Sequence, residues 1–143
     1  MRVNQPKKFK QFGGYVFEKI LTHTTIGAST VMMHKDLFEE VGFFDERLEV
    51  CEDFDLWLRI AKKNFLGFLE ERLTLKYGGH SDQLSTKHWG MDRFRLRALN
   101  KHKENRAVQE IVKQKSEVLL KGAIKHANVE LQRECEWYLN QKF

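Results

Sequence analysis

Residues 51–59 read CEDFDLWLR. Three carboxylates, Glu52, Asp53 and Asp55, stand at the head of a run whose later members are apolar and aromatic. Phe54, Trp57, Leu58 and Ala61 fall at i, i+3, i+4 and i+7, the spacing of one helix face. The spacing predicts a helix over 54–63 with acids in its first turn. Unpaired backbone amides and the positive end of the helix dipole favour ionised carboxylates there. Two readings follow. In one, Glu52, Asp53 and Asp55 only cap the helix. In the other, a carboxylate fixed at a rigid helix start is available as a base.

On the N-terminal side, β-branched residues predict a strand over 28–33. Asp36 is a plausible N-cap for a short helix, 37–41, which Gly42 ends. Phe43, Phe44 and Leu48 would anchor the next loop, whose Asp45-Glu46-Arg47 centre reads as a solvated turn. Residues 1–11 are polar and basic and hold the chain's one proline, Pro6, so they read as a lead-in, followed by a Gly13-Gly14 turn. Residues 15–21 form a short apolar-rich element. On the C-terminal side, Asn64 and Gly67 are stop signals. Residues 73–77 alternate as a strand does. The loop GGHSDQLS, 78–85, has two glycines that permit close approach of a ligand. Helical periodicity resumes near Trp89 with Met91, Phe94 and Ala98. From Asn105 onward it continues as two helices, one carrying Val108, Ile111, Val112 and Leu119, the other Ala127, Leu131, Cys135 and Tyr138, with a weak point near Gly122.

The chain has 143 residues, 41% of them hydrophobic, including 11 Phe and 3 Trp, which is enough for one core. No apolar run is long enough for a membrane span and no signal peptide is apparent, so the expected address is cytoplasmic, with room for peripheral contact at the inner membrane face. Cys51 and Cys135 lack a C-x-x-C partner and read as free thiols. The net charge of +5 and pI near 9.2 invite a polyanion. No nucleic-acid-binding signature accompanies that charge, and no specific nucleic acid is expected.

With these pieces placed, the chain resembles the second half of a family 2 glycosyltransferase with the GT-A fold. The matching residues are STVMMHKDLFEEVGFFDERL (29–48), EDFDLWLR (52–59) and YGGHSDQLS (77–85). Their order and spacing agree with the family, and the resemblance covers about residues 20–99. It implies transfer of a sugar from a nucleotide-diphosphate sugar to a carbohydrate or lipid-linked acceptor, with inversion. It assigns Asp53 as the general base, with Glu52 beside it near the acceptor. It also implies that His80 reaches a divalent metal, Mn²⁺ or Mg²⁺, or the departing diphosphate, and that Gln83, Ser85 and Ser29 touch substrate. Asp53-Phe54-Asp55 spells D-x-D, but residues two apart on a helix point in different directions, so it is not read as the family's metal string.

The resemblance implies an α/β fold. It is a partial GT-A-like arrangement, a few strands of a mixed sheet with flanking helices, followed by a helical C-terminal segment. The expected divisions are a lead-in over 1–21, an acceptor-side half over 22–103, and C-terminal helices over 104–143. The family's nucleotide-binding half has no counterpart in these motifs. The chain is therefore not expected to catalyse transfer alone, and an N-terminal half in trans or a second copy across an open sheet edge would be its partner. The rival reading is a non-enzymatic binding module derived from the same fold.

Overall fold

The computed structural model describes residues 11–23, 25–71, 73–75 and 88–141. Among these the architecture is helical. Two single 3-10 turns, Glu18–Ile20 and Ala28–Thr30, precede five α-helices: α1 (Asp36–Val41), α2 (Glu52–Ala61), α3 (Met91–Asn100), α4 (Arg106–Lys125) and α5 (Val129–Leu139).

The centre of the molecule is α2. Its predicted apolar face is present, since Phe54, Trp57, Leu58 and Ala61 are all buried. Burial extends further than one stripe: Leu56 and Ile60 are enclosed too, because α1, α3 and the 3-10 turn at Glu18–Ile20 surround the helix. Side chains of this size each contribute about 1.5–3 kcal/mol on burial. The helix ends where Asn64 folds back, its backbone amide donating to the Ile60 carbonyl at 3.0 Å and its side-chain amide to the same oxygen at 3.2 Å.

The flanking helices obey local signals. Gly42, at φ 82, closes α1, while Asp36 lies inside the first turn and Lys35 takes the N-cap position. Asn105 caps α4 by accepting from the amides of Ala107 and Val108, and Asn128 caps α5 by accepting from that of Leu131. The expected weak point at Gly122 does not interrupt α4, which runs on to Lys125; the chain turns instead at Ala127, φ 52. Helices α4 and α5 pack together around a small core of their own, Ala123, Leu131 and Cys135.

The expected α/β fold with a mixed sheet is corrected by these elements. Among the described residues no strand ladder forms, and one isolated antiparallel bridge joins Gly14 to Leu66. The residues read as a strand, 28–33, begin with the 3-10 turn at Ala28–Thr30. There the Thr30 amide and hydroxyl both donate to the Gly27 carbonyl, at 2.8 and 2.7 Å. Such local bonding competes with a ladder, and β-branched residues form a strand only where a partner edge meets them. Of the second expected strand, 73–77, the described residues 73–75 are not in a strand, and 76–77 lie outside the described residues. The Gly13-Gly14 pair serves a crossing: a Cβ on Gly13 would stand 2.8 Å from the Leu66 carbonyl oxygen, and Gly14 adopts φ 105. Beyond it Phe65, Leu69, Leu73 and Leu75 are exposed.

His102, just after α3, is 5% exposed. Neither ring nitrogen has a hydrogen-bond partner among the described residues, and its ring meets Phe17 edge-on at 5.5 Å. Burial, reinforced by the Lys62 and Lys101 cations and only partly opposed by Glu104 and Asp55, holds its pKa below the ordinary 6.5. The folded state thus binds fewer protons than the unfolded chain once the pH drops under about 6.5, and stability falls with it. Urea midpoints at pH 7.5 and pH 5.5 should differ in the parent and converge in His102→Phe; an equal pH response in both rejects this account.

Candidate active site

The first turn of α2 places the three carboxylates in different surroundings. Cys51, the N-cap residue, takes a left-handed conformation (φ 65, ψ 19) and makes no side-chain cap. Its backbone carbonyl instead accepts from the Asp55 amide at 3.0 Å, which starts the helix. Glu52 and Asp53 are partly exposed, and Asp53 Oδ1 accepts from the Phe54 amide at 2.7 Å. This bond orients the carboxylate at the positive end of the helix, where an anion is favoured.

Asp55 is wholly buried. Its Oδ2 accepts from Arg59 Nε at 3.0 Å and its Oδ1 from Lys101 Nζ at 2.6 Å. Lys101 also donates to Asp45 at 2.6 Å, and Arg47 holds Asp45 with two side-chain bonds of 2.9 and 3.0 Å. The remaining donors of Arg59 reach the carbonyls of Val41, Gly42 (3.1 Å) and Phe43 (2.8 Å). This network ties α2 to the end of α1, to the loop after it and to the end of α3. The Arg47 hydrogen bonds, followed by that from Lys101, hold Asp45 well below the usual carboxylate range. Asp45 and Arg47 are thus part of a knot rather than a solvated turn, although Arg47 itself lies outside, 86% exposed.

Asp53 and Asp55 cannot share a cation, since both Asp55 oxygens are already taken by Arg59 and Lys101. Among the described residues no three His, Cys, Asp or Glu side chains converge as a metal site would require. His80, through which the family resemblance implies a divalent ion, lies outside the described residues, as do Gln83 and Ser85. Ser29 is exposed within its 3-10 turn, and no described contact joins it to Glu52 or Asp53.

Sequence reasoning missed what lies beside the carboxylates. The segment entering α3 runs along the segment entering α2: His88 Nδ1 is 3.9 Å from the Glu49 carboxylate, and the Cys51 thiol faces the Met91 carbonyl at 3.8 Å. Burial pushes that thiol up to about 11; the Arg95 cation opposes this, and Asp53, Glu52 and Asp92 add to it. Cys51 is a protonated packing residue and no nucleophile at neutral pH. Asp92 bonds to Arg95 at 2.9 Å and to Lys115 at 2.8 Å. Burial pulls its pKa upward, but those two cations outweigh it and leave the group below its ordinary value. With Arg97 paired to Glu134 at 3.0 Å, much of the positive charge along α3 is spent inside the molecule.

In sequence, the chain is similar over part of its length to bacterial proteins named uncharacterized glycosyltransferase. It is 38% identical over 63 residues to a protein of Rickettsia felis named uncharacterized glycosyltransferase, a match covering 44% of this chain and 10% of that protein. Proteins of the same description from Rickettsia conorii and Rickettsia bellii are 36% and 38% identical over 63 residues, covering 44% of this chain and 10% and 9% of theirs. The chain thus matches about a tenth of the length of these relatives. No family model matches it, and no solved structure does.

Proposed function

We propose that this segment is the acceptor-side, base-bearing portion of an inverting family 2 glycosyltransferase. The observation that carries the reading is the division of labour on α2. Asp53 is oriented and partly open, whereas Asp55, two residues on, is sealed into the network that fixes the helix. A base gains more from such fixed orientation than from proton affinity. In the proposed step an acceptor hydroxyl attacks the anomeric carbon of a nucleotide-diphosphate sugar. Asp53 takes the hydroxyl proton as the new C–O bond forms, and the C–O bond to phosphate breaks with its electron pair leaving on the diphosphate. Glu52 stands beside the base, and the donor would be bound by other parts of a longer polypeptide. Placement in the cytoplasm, at the inner membrane face, belongs to the same proposal; among the described residues no helix is long and apolar enough to cross a membrane.

The test is the stereochemistry of a complete polypeptide carrying this segment, incubated with UDP-, GDP- and dTDP-sugars and an acceptor glycoside. Proton NMR of the product should show the anomeric configuration opposite to the donor's. A product of retained configuration rejects the single-displacement base.

A further inference from the structure

One large aromatic side chain at the entry to α3 is left open to solvent. Trp89 is 57% exposed, whereas Trp57 in the core is 4% exposed. The Glu49–His88 and Cys51–Met91 contacts bracket residue 89 and lay it beside the segment that enters α2. Gly90, at φ 66, turns the chain between Trp89 and the first residue of α3, so the indole stays outside the helix and its core face.

The indole is also held. The Arg93 guanidinium lies 4.9 Å from the Trp89 ring centroid and 4.6 Å from that of Phe94. Arg93 Nε is buried with no hydrogen-bond partner among the described residues, so the contact of this cation with the two rings is what orders it. Trp89 keeps its 57% exposure with this cation seated against the ring.

We propose that Trp89 is the stacking platform for a pyranose ring of the acceptor; the word acceptor rests on the function proposed above. The C–H bonds on the apolar face of a pyranose are electropositive and suit the electron-rich face of an indole. The hydroxyls around the same ring need hydrogen-bond acceptors, and Glu49, Glu52 and Asp53 supply carboxylates along the neighbouring segment. Aromatic area with a few convergent polar groups is the make-up of a small-molecule site. An acceptor sugar stacked there would bring one hydroxyl towards the base.

The test uses the chain labelled with ¹⁵N at its three tryptophan indoles. It is titrated with methyl β-glucopyranoside, methyl β-galactopyranoside and methyl N-acetyl-β-glucosaminide. The Trp89 indole resonance should move saturably with at least one of them, while that of Trp137, equally exposed on α5 (56%), stays still. Trp89→Ala should weaken binding about tenfold and Trp89→Phe less, in line with the worth of one aromatic contact, with helical circular dichroism unchanged. No saturable shift with any of the three, a shift shared by Trp137, or Trp89→Ala binding as the parent does would overturn the platform. Failure of the function proposed above reads differently: Trp89 still binds sugar, but Asp53→Asn leaves transfer by the complete polypeptide unchanged.

Discussion

Asp55→Asn is expected to destabilise the fold by about 3–5 kcal/mol, the usual cost of removing one partner from a buried ion pair. The carboxylate has no solvent contact and carries both the Arg59 and the Lys101 bonds. An amide keeps the shape but loses the charge, leaving two cations against a group that can no longer neutralise them. Arg59 would feel this most, because its side chain is only 18% exposed and its other donors already hold the α1–α2 connection. Urea unfolding followed by helical circular dichroism should show a midpoint lower by more than about 1 M, given slopes of roughly 1–3 kcal/mol/M for small domains. Adding Lys101→Met to Asp55→Asn should recover part of the loss by removing the stranded cation, and the double-mutant cycle measures the coupling. A single variant that melts with the parent contradicts the structural role of the knot.

Asp53→Asn should do the reverse. In a complete polypeptide carrying this segment, sugar transfer should drop by about 10²–10⁴-fold, the range general-base catalysis supplies. The unfolding free energy from urea titration should stay within about 0.5 kcal/mol of the parent, as for most surface substitutions. The amide can still accept from the Phe54 amide through its carbonyl oxygen, so the helix start is kept while proton acceptance is lost. Rates measured at saturating acceptor separate this from a binding defect, since a lost base lowers kcat and a lost contact raises KM. Turnover equal to the parent would remove Asp53 from the chemistry. The two substitutions are chemically identical and two residues apart, so their opposite phenotypes test the division on α2 directly.

The helices were legible in the sequence because their signals are local. Phe54, Trp57, Leu58 and Ala61 announce α2, Gly42 ends α1, and the stripe from Val108 to Leu119 marks α4. The sheet was misread because strand formation depends on a partner elsewhere in space. The β-branched residues near Thr30 suit a pleated surface, yet the Thr30 hydroxyl closes a turn on Gly27 when no edge is at hand. The site was half legible. Glu52 and Asp53 stand out as acids at a helix start. The pairing of Asp55 with Lys101 spans 46 residues and that of Asp45 with Lys101 spans 56, and no periodicity in a single chain reports such pairs. In the sequence Trp89 marks only the beginning of a helical stripe, because the segment it is laid beside, around Glu49 and Cys51, belongs to a distant stretch.

The knot at Asp55 also sets an angle. Successive residues on an α-helix are about 100° apart, so Asp53 projects roughly 200° around the axis from Asp55. Once Asp55 is locked between Arg59 and Lys101, the azimuth of Asp53 is no longer adjustable. The helix is indexed like a key in its slot, by a carboxylate that meets no solvent. Inserting or deleting one residue between 53 and 55 would turn the two acids against their settings, sending the outward group inward or breaking the lock. Length variation should therefore be tolerated in the exposed stretch 69–71 and refused within this first turn.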